Sequence, residues 1–505
     1  MAEIAACYSR SMISGAHPAG AAQENESPER KPKGSGQAAL VLIGIVVLGA
    51  VLRLIALGYK SFWLDEIASV VIVRMPANSF WSWVWHSEGN MALYYVMLRP
   101  WLHFGLGEAS VRMLSVLPGI ASVPIMYLVG TRLFGRRVGI IAPLFLAIST
   151  CSVVYSQEAR GYSWLLLGVI ASTYLFVRLI ARPTYAIAFA YALAAGVTLY
   201  FHYFGLLVPL AHAVSLVALP KNRRPWRYLM VAGAILAVLA VPVLWMIHIQ
   251  PIQHLAWVAK PSLLEVYHLG VFLAAESGKG VGPVLLALEL VLVGVFLRTL
   301  ISLRGESGSK YVHWKLAFVA SAMLTPVIFT LLVSMARPVF FHRFLIICLP
   351  AWLLAVAVGA NGIVRTKLRT LAIAGVCVLS LASTVTSYTR VREDWRGVAT
   401  YLIANAGAQD RVVYYEGVGN FAVESYRDWL PGGANNRPLA VEAHPPSHEW
   451  VEKIAGAGRV WLVRYPANKT DDTAQSVEAE LQSRYTAGET KQFRAVNVTE
   501  FAAKQ

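Results

Sequence analysis

Long apolar runs alternate with short polar connections over most of this chain. Runs long enough to cross a bilayer, roughly 17–25 residues each, fall near 38–57, 110–130, 138–155, 162–181, 184–202, 204–220, 228–248, 283–303, 316–335, 343–360 and 370–389. The pattern predicts about eleven membrane-spanning helices. Two connections are long, 58–109 and 249–282. The first carries Trp63, Trp81, Trp83, Trp85 and Trp101, and predicts helices lying in the membrane interface, where aromatic rings sit at headgroup level. Past about residue 390 the pattern changes. RVVYY (411–415), RVWLVRY (459–465) and FRAVNVTEF (493–501) read as strands, while GNFAVESYRDWL and AQSVEAELQSRY read as helices. The expected fold is therefore a polytopic α-helical membrane protein with a small C-terminal α/β domain. Its parts are a polar tail over 1–37, a membrane domain over 38–389 and a soluble domain over 390–505. The tail is rich in small and polar residues and reads as disordered. It is too long and polar for the start of a signal peptide, so the first run is expected to remain as an uncleaved anchor. No internal repeat is evident.

Composition agrees with this division. Hydrophobic residues make up 57% of the 505 and charged residues 14%, against about 25% charged in soluble domains. The formal net charge of +16 raises the question of nucleic acid, but the basic residues lie in clusters between apolar runs and no nucleic-acid-reading motif accompanies them. Arg30, Lys31 and Lys33 are followed by Arg132, Arg136 and Arg137; Arg178 and Arg182; Lys221, Arg223, Arg224 and Arg227; Arg304, Lys310 and Lys315; and Arg365, Lys367 and Arg369, always on alternate connections. The positive-inside rule places all of these in the cytoplasm. The expected location is thus the cell (inner) membrane, with the N-terminus cytoplasmic and the C-terminal domain extracytoplasmic. The cysteines, Cys7, Cys151, Cys348 and Cys377, have neither zinc spacing nor a disulfide framework. No metal ligand set is visible and no cofactor is expected.

The connections on the other face are chemically mixed. Asp65 is the first aspartate, and the next is Asp394. It sits beside Glu66 in SFWLDEIAS, at the outer mouth of the first run. Such a pair can be solvated loop acids, or acids set against a helix dipole. It can also supply a general base, because a partly desolvated carboxylate accepts a proton more readily. In YSQEARGYSWLLL, Glu158, Arg160 and Tyr162 crowd a short connection, either as an ion pair tying two helix ends or as lining of a cavity. His202 and Tyr203 mark the next outer turn, where a histidine is either a structural hydrogen bonder or a site residue. Arg337, His342 and Arg343, in MARPVFFHRFLIICLP, run against the positive-inside trend. They either snorkel toward lipid headgroups or clamp an anionic phosphate, which the planar arginine fork suits. Together these groups suit a reaction between an outer-face hydroxyl and a lipid-linked phosphate. The acid would deprotonate the acceptor and the arginines would stabilise the departing phosphate.

The ordered set LRLIALGYKSFWLDE, NMALYYVMLRPW with LGEASVRMLS, VVYSQEARGYSWLL, YFHYFGLL, RPVFFHRFLIICLP and VREDWRGVATYL resembles bacterial members of glycosyltransferase family 39, the polyprenyl-phosphate-sugar, mannosyltransferase-like membrane enzymes of the GT-C fold. The resemblance covers roughly 38–405. It implies inverting transfer of a sugar from a polyprenyl-phosphate carrier, with no nucleotide site. In that class the first outer loop carries the catalytic aspartate, which matches Asp65, and Glu66 matches the second acid. An Arg/His-bearing outer turn for the carrier phosphate matches Arg337, His342 and Arg343. Glu158, Arg160, Tyr162, His202 and Tyr203 then line the substrate cavity. Where many relatives carry His-Pro-Pro in the first loop, this chain has Asn90-Met91-Ala92, which leaves the acceptor open among glycan, lipid and protein. Metal dependence varies in this fold class and does not carry over. A transporter or flippase of a lipid-linked saccharide is the competing class, and a non-catalytic receptor or assembly factor a third. Against the transporter stand the absence of repeat symmetry and the gathering of charges at one boundary rather than the bilayer midplane.

Overall fold

Every apolar run read from the sequence forms a helix, because a backbone surrounded by hydrocarbon must satisfy its own N–H and C=O groups. A computed structural model of the protein describes residues 35–250, 258, 260–303, 310–415, 417–433, 437–443, 449–466 and 472–504. Of the tail expected to be disordered over 1–37, residues 1–34 lie outside the described residues, as do Cys7 and Arg304, while 35–37 open the first helix. In chain order the helices are α1 (Ser35–Leu54), α2 (Leu64–Arg74), α3 (Ala77–His86), α4 (Ala92–Trp101), α5 (Glu108–Phe134), α6 (Arg136–Ile148), α7 (Thr150–Ser156), α8 (Tyr162–Ala181), α9 (Tyr185–Leu199), α10 (Leu207–Ser215), α11 (Trp226–Ile249), α12 (Leu263–Ala275), α13 (Gly282–Ser302), α14 (Lys310–Ala336), α15 (Leu349–Asn361), α16 (Thr366–Tyr388), α17 (Trp395–Asn405), α18 (Gly417–Trp429), α19 (Glu449–Ile454) and α20 (Asp472–Arg484). The strands are β1 (Arg411–Tyr415), β2 (Leu439–Ala443), β3 (Arg459–Arg464), β4 (Tyr485–Phe493) and β5 (Val496–Ala503).

These elements form two compact units. The first runs to Ile55 and then takes Ala77–Met97 and Arg112–Ser387; the second is built from Ala56–Pro76, Leu98–Val111 and the chain from Tyr388 onward. Among the described residues, eight helices are long and apolar enough to cross a membrane: α1, α5, α8, α11, α13, α14, α16 and the stretch His342–Asn361 that ends in α15. The pair α6 and α7 makes a ninth if counted as one span, bent by 54°. The two remaining apolar runs correspond to the shorter helices α9 and Tyr203–Ser215. A third short apolar helix, α12, falls within the second long connection. The outward apolar rows of α1 (Leu40, Ile43, Val47) and α11 (Val238, Val241, Trp245) suit contact with lipid.

The bend between α6 and α7 has a specific partner. Ser149 caps α7 by accepting the Ser152 N–H at 3.4 Å. Arg53, fully buried in the last turn of α1, places its five N–H donors on five acceptors around the break. These are the carbonyls of Gly49 (2.9 Å), Leu146 (3.3 Å) and Ala147 (3.0 Å) and the hydroxyls of Ser152 (2.7 Å) and Ser156 (3.1 Å). Leu146 and Ala147 are among the last residues of α6, whose carbonyls have no donor within their own helix. Elsewhere α13 and α15 cross closely at Gly359, where a Cβ would collide with the Leu292 carbonyl oxygen. The same pair of helices buries Glu289, which accepts the Trp352 indole N–H at 2.6 Å.

In the second unit the strands form one sheet in the order β2-β1-β3-β5-β4. β1 lies parallel to β2 and β3, while β5 is antiparallel to β3 and β4. Val413, Val441, Trp450, Val460, Leu481 and Phe501 form the core of this sheet domain.

Candidate functional site

Asp65 and Glu66 stand in the first turn of α2, in the second unit. The positive end of the helix dipole suits acids there. The two are not equivalent. Glu66 is fully buried and accepts the N–H of the N-cap residue Trp63 at 3.3 Å, whereas Asp65 is half-buried. The backbone leading to them is held from within the same unit. Arg396 donates to the carbonyls of Gly58 (3.4 Å) and Tyr59 (2.7 Å), and its own N–H reaches the Ser61 hydroxyl (3.1 Å). Phe62 N–H donates to the Tyr426 hydroxyl (2.7 Å), which in turn donates to Glu108 (2.8 Å). Glu108 also pairs with Arg396 at 3.1 Å.

A further carboxylate completes this neighbourhood. Glu393 accepts the Leu64 N–H at 3.0 Å and the Trp395 indole N–H at 2.6 Å on one oxygen, and the Tyr465 hydroxyl at 3.0 Å on the other. Burial pushes its carboxyl above the usual carboxylate range; the three donors oppose this and the charge of Asp65 adds to it. Sequence reasoning gave Glu393, Arg396 and Tyr426 no role. The signal available was VREDWRGVATYL, one of the stretches carrying the family resemblance.

The other proposed residues belong to the first unit. Glu158 and Arg160, both buried, lie in the tight turn between α7 and α8. Arg160 donates to the Tyr95 hydroxyl at 3.3 Å, and its carbonyl accepts from Ser115 at 3.1 Å. Tyr162 opens α8, and its ring lies 5.6 Å from that of His202. His202 in turn lies 5.1 Å from Phe344. A parallel chain of rings runs from Tyr162 to Tyr155 (5.0 Å), Phe272 (5.6 Å) and His342 (5.1 Å). The turn holding His342 and Arg343 is thereby packed with Tyr162 and His202.

His202 has a defined tautomer. Its Nδ1 accepts the Phe204 N–H at 3.2 Å, so the ring proton sits on Nε2. That atom is buried and makes no hydrogen bond among the described residues. Burial, with the Arg160 cation adding to it, pushes the imidazole down to about 3, so the ring is neutral near pH 7.

Two proposed residues go elsewhere. Tyr203 turns its hydroxyl to Gln250 (2.9 Å) and packs beside Met246, in a different neighbourhood from His202. Arg337 is exposed at the C-terminal end of α14. The Asn90-Met91 pair has its own use: Asn90 accepts the Tyr203 N–H at 3.0 Å and Met91 Sδ accepts the Gly161 N–H at 3.4 Å. Among the described residues, no group of three His, Cys, Asp or Glu side chains is arranged to hold a metal ion.

The model of the family described as dolichyl-phosphate-mannose-protein mannosyltransferase matches residues 95–245. The fold is similar to that of ArnT from Cupriavidus metallidurans bound to undecaprenyl phosphate, with a TM-score of 0.61 and 12% identity over 92% of this chain and 98% of that one. The chain has an ArnT-like, GT-C fold. The fold is also similar to that of the apo state of the same ArnT, at TM-score 0.59 and 11% identity over 92% of this chain and 98% of that one. An oligosaccharyltransferase from Archaeoglobus fulgidus, tethered with an acceptor peptide, matches at TM-score 0.53 and 11% identity over 93% of this chain and 74% of that one. No curated protein matches this chain in sequence.

Proposed function

We propose that the protein transfers a sugar, with inversion, from a polyprenyl-phosphate-linked donor to an acceptor hydroxyl on the outer face of the membrane. Asp65 takes the hydroxyl proton, and the oxygen attacks the anomeric carbon. The bond from that carbon to the phosphate oxygen breaks on the opposite side, and the polyprenyl phosphate leaves carrying the electron pair. The observation that carries this reading is the fold: its solved counterpart spans nearly the whole chain and is bound to undecaprenyl phosphate. Within α2, the half-buried Asp65 has the access a base needs, while the buried Glu66 holds the helix start as its helper.

In the first unit, the His202 Nε2–H is a neutral donor suited to an anionic oxygen. Arg160 and Tyr162 lie beside it, and His342 and Arg343 are the groups for the carrier phosphate. Glu158 and Tyr203 support the lining through their turns. The alternating basic connections support a cytoplasmic N-terminus, an extracytoplasmic C-terminal domain and residence in the cell (inner) membrane.

The test is to incubate the purified protein, reconstituted in vesicles, with undecaprenyl-phosphate mannose, glucose and aminoarabinose and to measure release of undecaprenyl phosphate. One donor should be consumed by the wild type and spared by Asp65→Asn. Movement of an intact lipid-linked saccharide between leaflets, with none consumed, would favour a flippase instead.

A further inference from the structure

We propose that Glu393 is a positioning residue for Asp65, and that the C-terminal sheet domain acts through it, with Arg396 and Tyr426, to hold the catalytic turn. The proposal rests on the reading of Asp65 as the base.

The first N–H groups of a helix have no partner inside it and must find one. In α2 the Trp63 N–H finds Glu66, but the Leu64 N–H, one peptide unit before Asp65, finds Glu393. The residue answering that need is 329 positions away in the chain. Glu393 is itself held at both oxygens, by Trp395 and Tyr465, and is buried, so its carboxylate has little freedom to swing. Upstream, the backbone groups of Gly58, Tyr59 and Phe62 are each bonded to Arg396 or Tyr426. From 58 to 64 the segment is thus gripped at four backbone positions by three side chains from beyond residue 390. A surface acid pair needs no such grip, whereas a catalytic base does: a misplacement of about 1 Å can cost about a hundredfold in rate. Glu393 supplies placement rather than proton transfer: both of its oxygens hold donors of the protein itself, the Leu64 and Trp395 N–H groups on one and the Tyr465 hydroxyl on the other.

Glutamine separates placement from charge. Its amide oxygen can accept both N–H donors, and its NH₂ can donate to the Tyr465 oxygen once that hydroxyl rotates. The experiment compares Glu393→Ala, Glu393→Gln, Tyr465→Phe, the Glu393→Ala/Tyr465→Phe double variant and Asp65→Asn. Donor consumption begins with undecaprenyl-phosphate mannose, and amide hydrogen exchange is followed over residues 61–69. Glu393→Ala should lower kcat by about 10- to 100-fold with KM within about twofold of wild type. Glu393→Gln should recover most of that loss. Tyr465→Phe should show a smaller loss that disappears in the double variant, because with Glu393 gone there is nothing for Tyr465 to hold. Exchange over 61–69 should rise in Glu393→Ala and stay unchanged in Asp65→Asn.

Wild-type kcat in Glu393→Ala alongside an inactive Asp65→Asn would overturn the proposal and leave the base assignment standing. An active Asp65→Asn would remove the base assignment, while the exchange result would still report the grip on α2. A Glu393→Gln variant as impaired as the alanine would overturn placement in favour of charge. Should Glu393→Ala fail to fold, unchanged kcat and exchange in Tyr465→Phe would overturn the proposal by themselves.

Discussion

At the residue scale, adjacent acids in one helical turn have different tasks, and their variants should differ in kind. Asp65→Asn should abolish donor consumption, a loss of at least about 10²-fold, with the thermal midpoint unchanged. Glu66→Ala should instead cost about 1 kcal/mol of stability through the lost cap, read as a lower midpoint. His202 gives a pH prediction. Below about 6.5 the unfolded chain takes up a proton at this histidine that the folded protein accepts only near 3. Acid therefore destabilises, by about 2 kcal/mol on going from pH 7 to pH 5. A His202→Gln variant should lose less thermal stability over that interval than wild type. Asp65 stands out in the sequence because an aspartate is so rare in the apolar body of the chain. The divergence of His202 and Tyr203 does not, because it follows from extended backbone at His202 (φ −170°, ψ 136°), where successive side chains face opposite ways. Glu393 was hidden for another reason: its partner in α2 is a backbone N–H, which leaves no mark on the amino-acid pattern.

At the element scale, the spans were legible because about twenty apolar residues in a row have few alternatives to a membrane helix. The break at Ser149 was not, since Ser and Thr sit comfortably in apolar runs and the bend depends on a distant arginine. Lysine has three donors against arginine's five. Arg53→Lys should therefore leave acceptors at the break unfilled and lower the thermal midpoint in detergent, by an amount equivalent to about 2–3 kcal/mol. The crossing of α13 and α15 gives a second check. Gly359→Ala should destabilise by about 1–3 kcal/mol, because the backbone of α13 must move away. Gly44→Ala in α1, where a Cβ meets nothing, should not destabilise. In the sheet, β1, β3 and β5 showed as apolar or alternating runs. β2 reads LAVEA, with a single β-branched residue and two alanines, so it lacks the β-branched and aromatic enrichment of a strand, and β4 is a largely exposed edge strand reading YTAGETKQF without a hydrophobic signature.

At the scale of the whole molecule, the second unit is assembled from three separated pieces of chain. Hydropathy separates greasy from polar stretches but does not report that residues 56–76 fold with the domain beyond 388. Deleting residues 390–505 should consequently leave the spans inserted but end donor consumption, because α2 loses Glu393, Arg396 and Tyr426 together. Intact transfer by that truncated protein would contradict the arrangement. Arg53 has a further consequence, in time. Its partners at Leu146, Ala147, Ser152 and Ser156 lie 93 to 103 residues downstream. A ribosome working at about 5–20 residues per second makes them some 5–20 seconds after Arg53 itself. Throughout that interval α1 is in the bilayer with a guanidinium that only its own helix and the headgroup water can satisfy. This helix thus waits at the water boundary, and it locks into register only when the apolar run over 138–155 has been made.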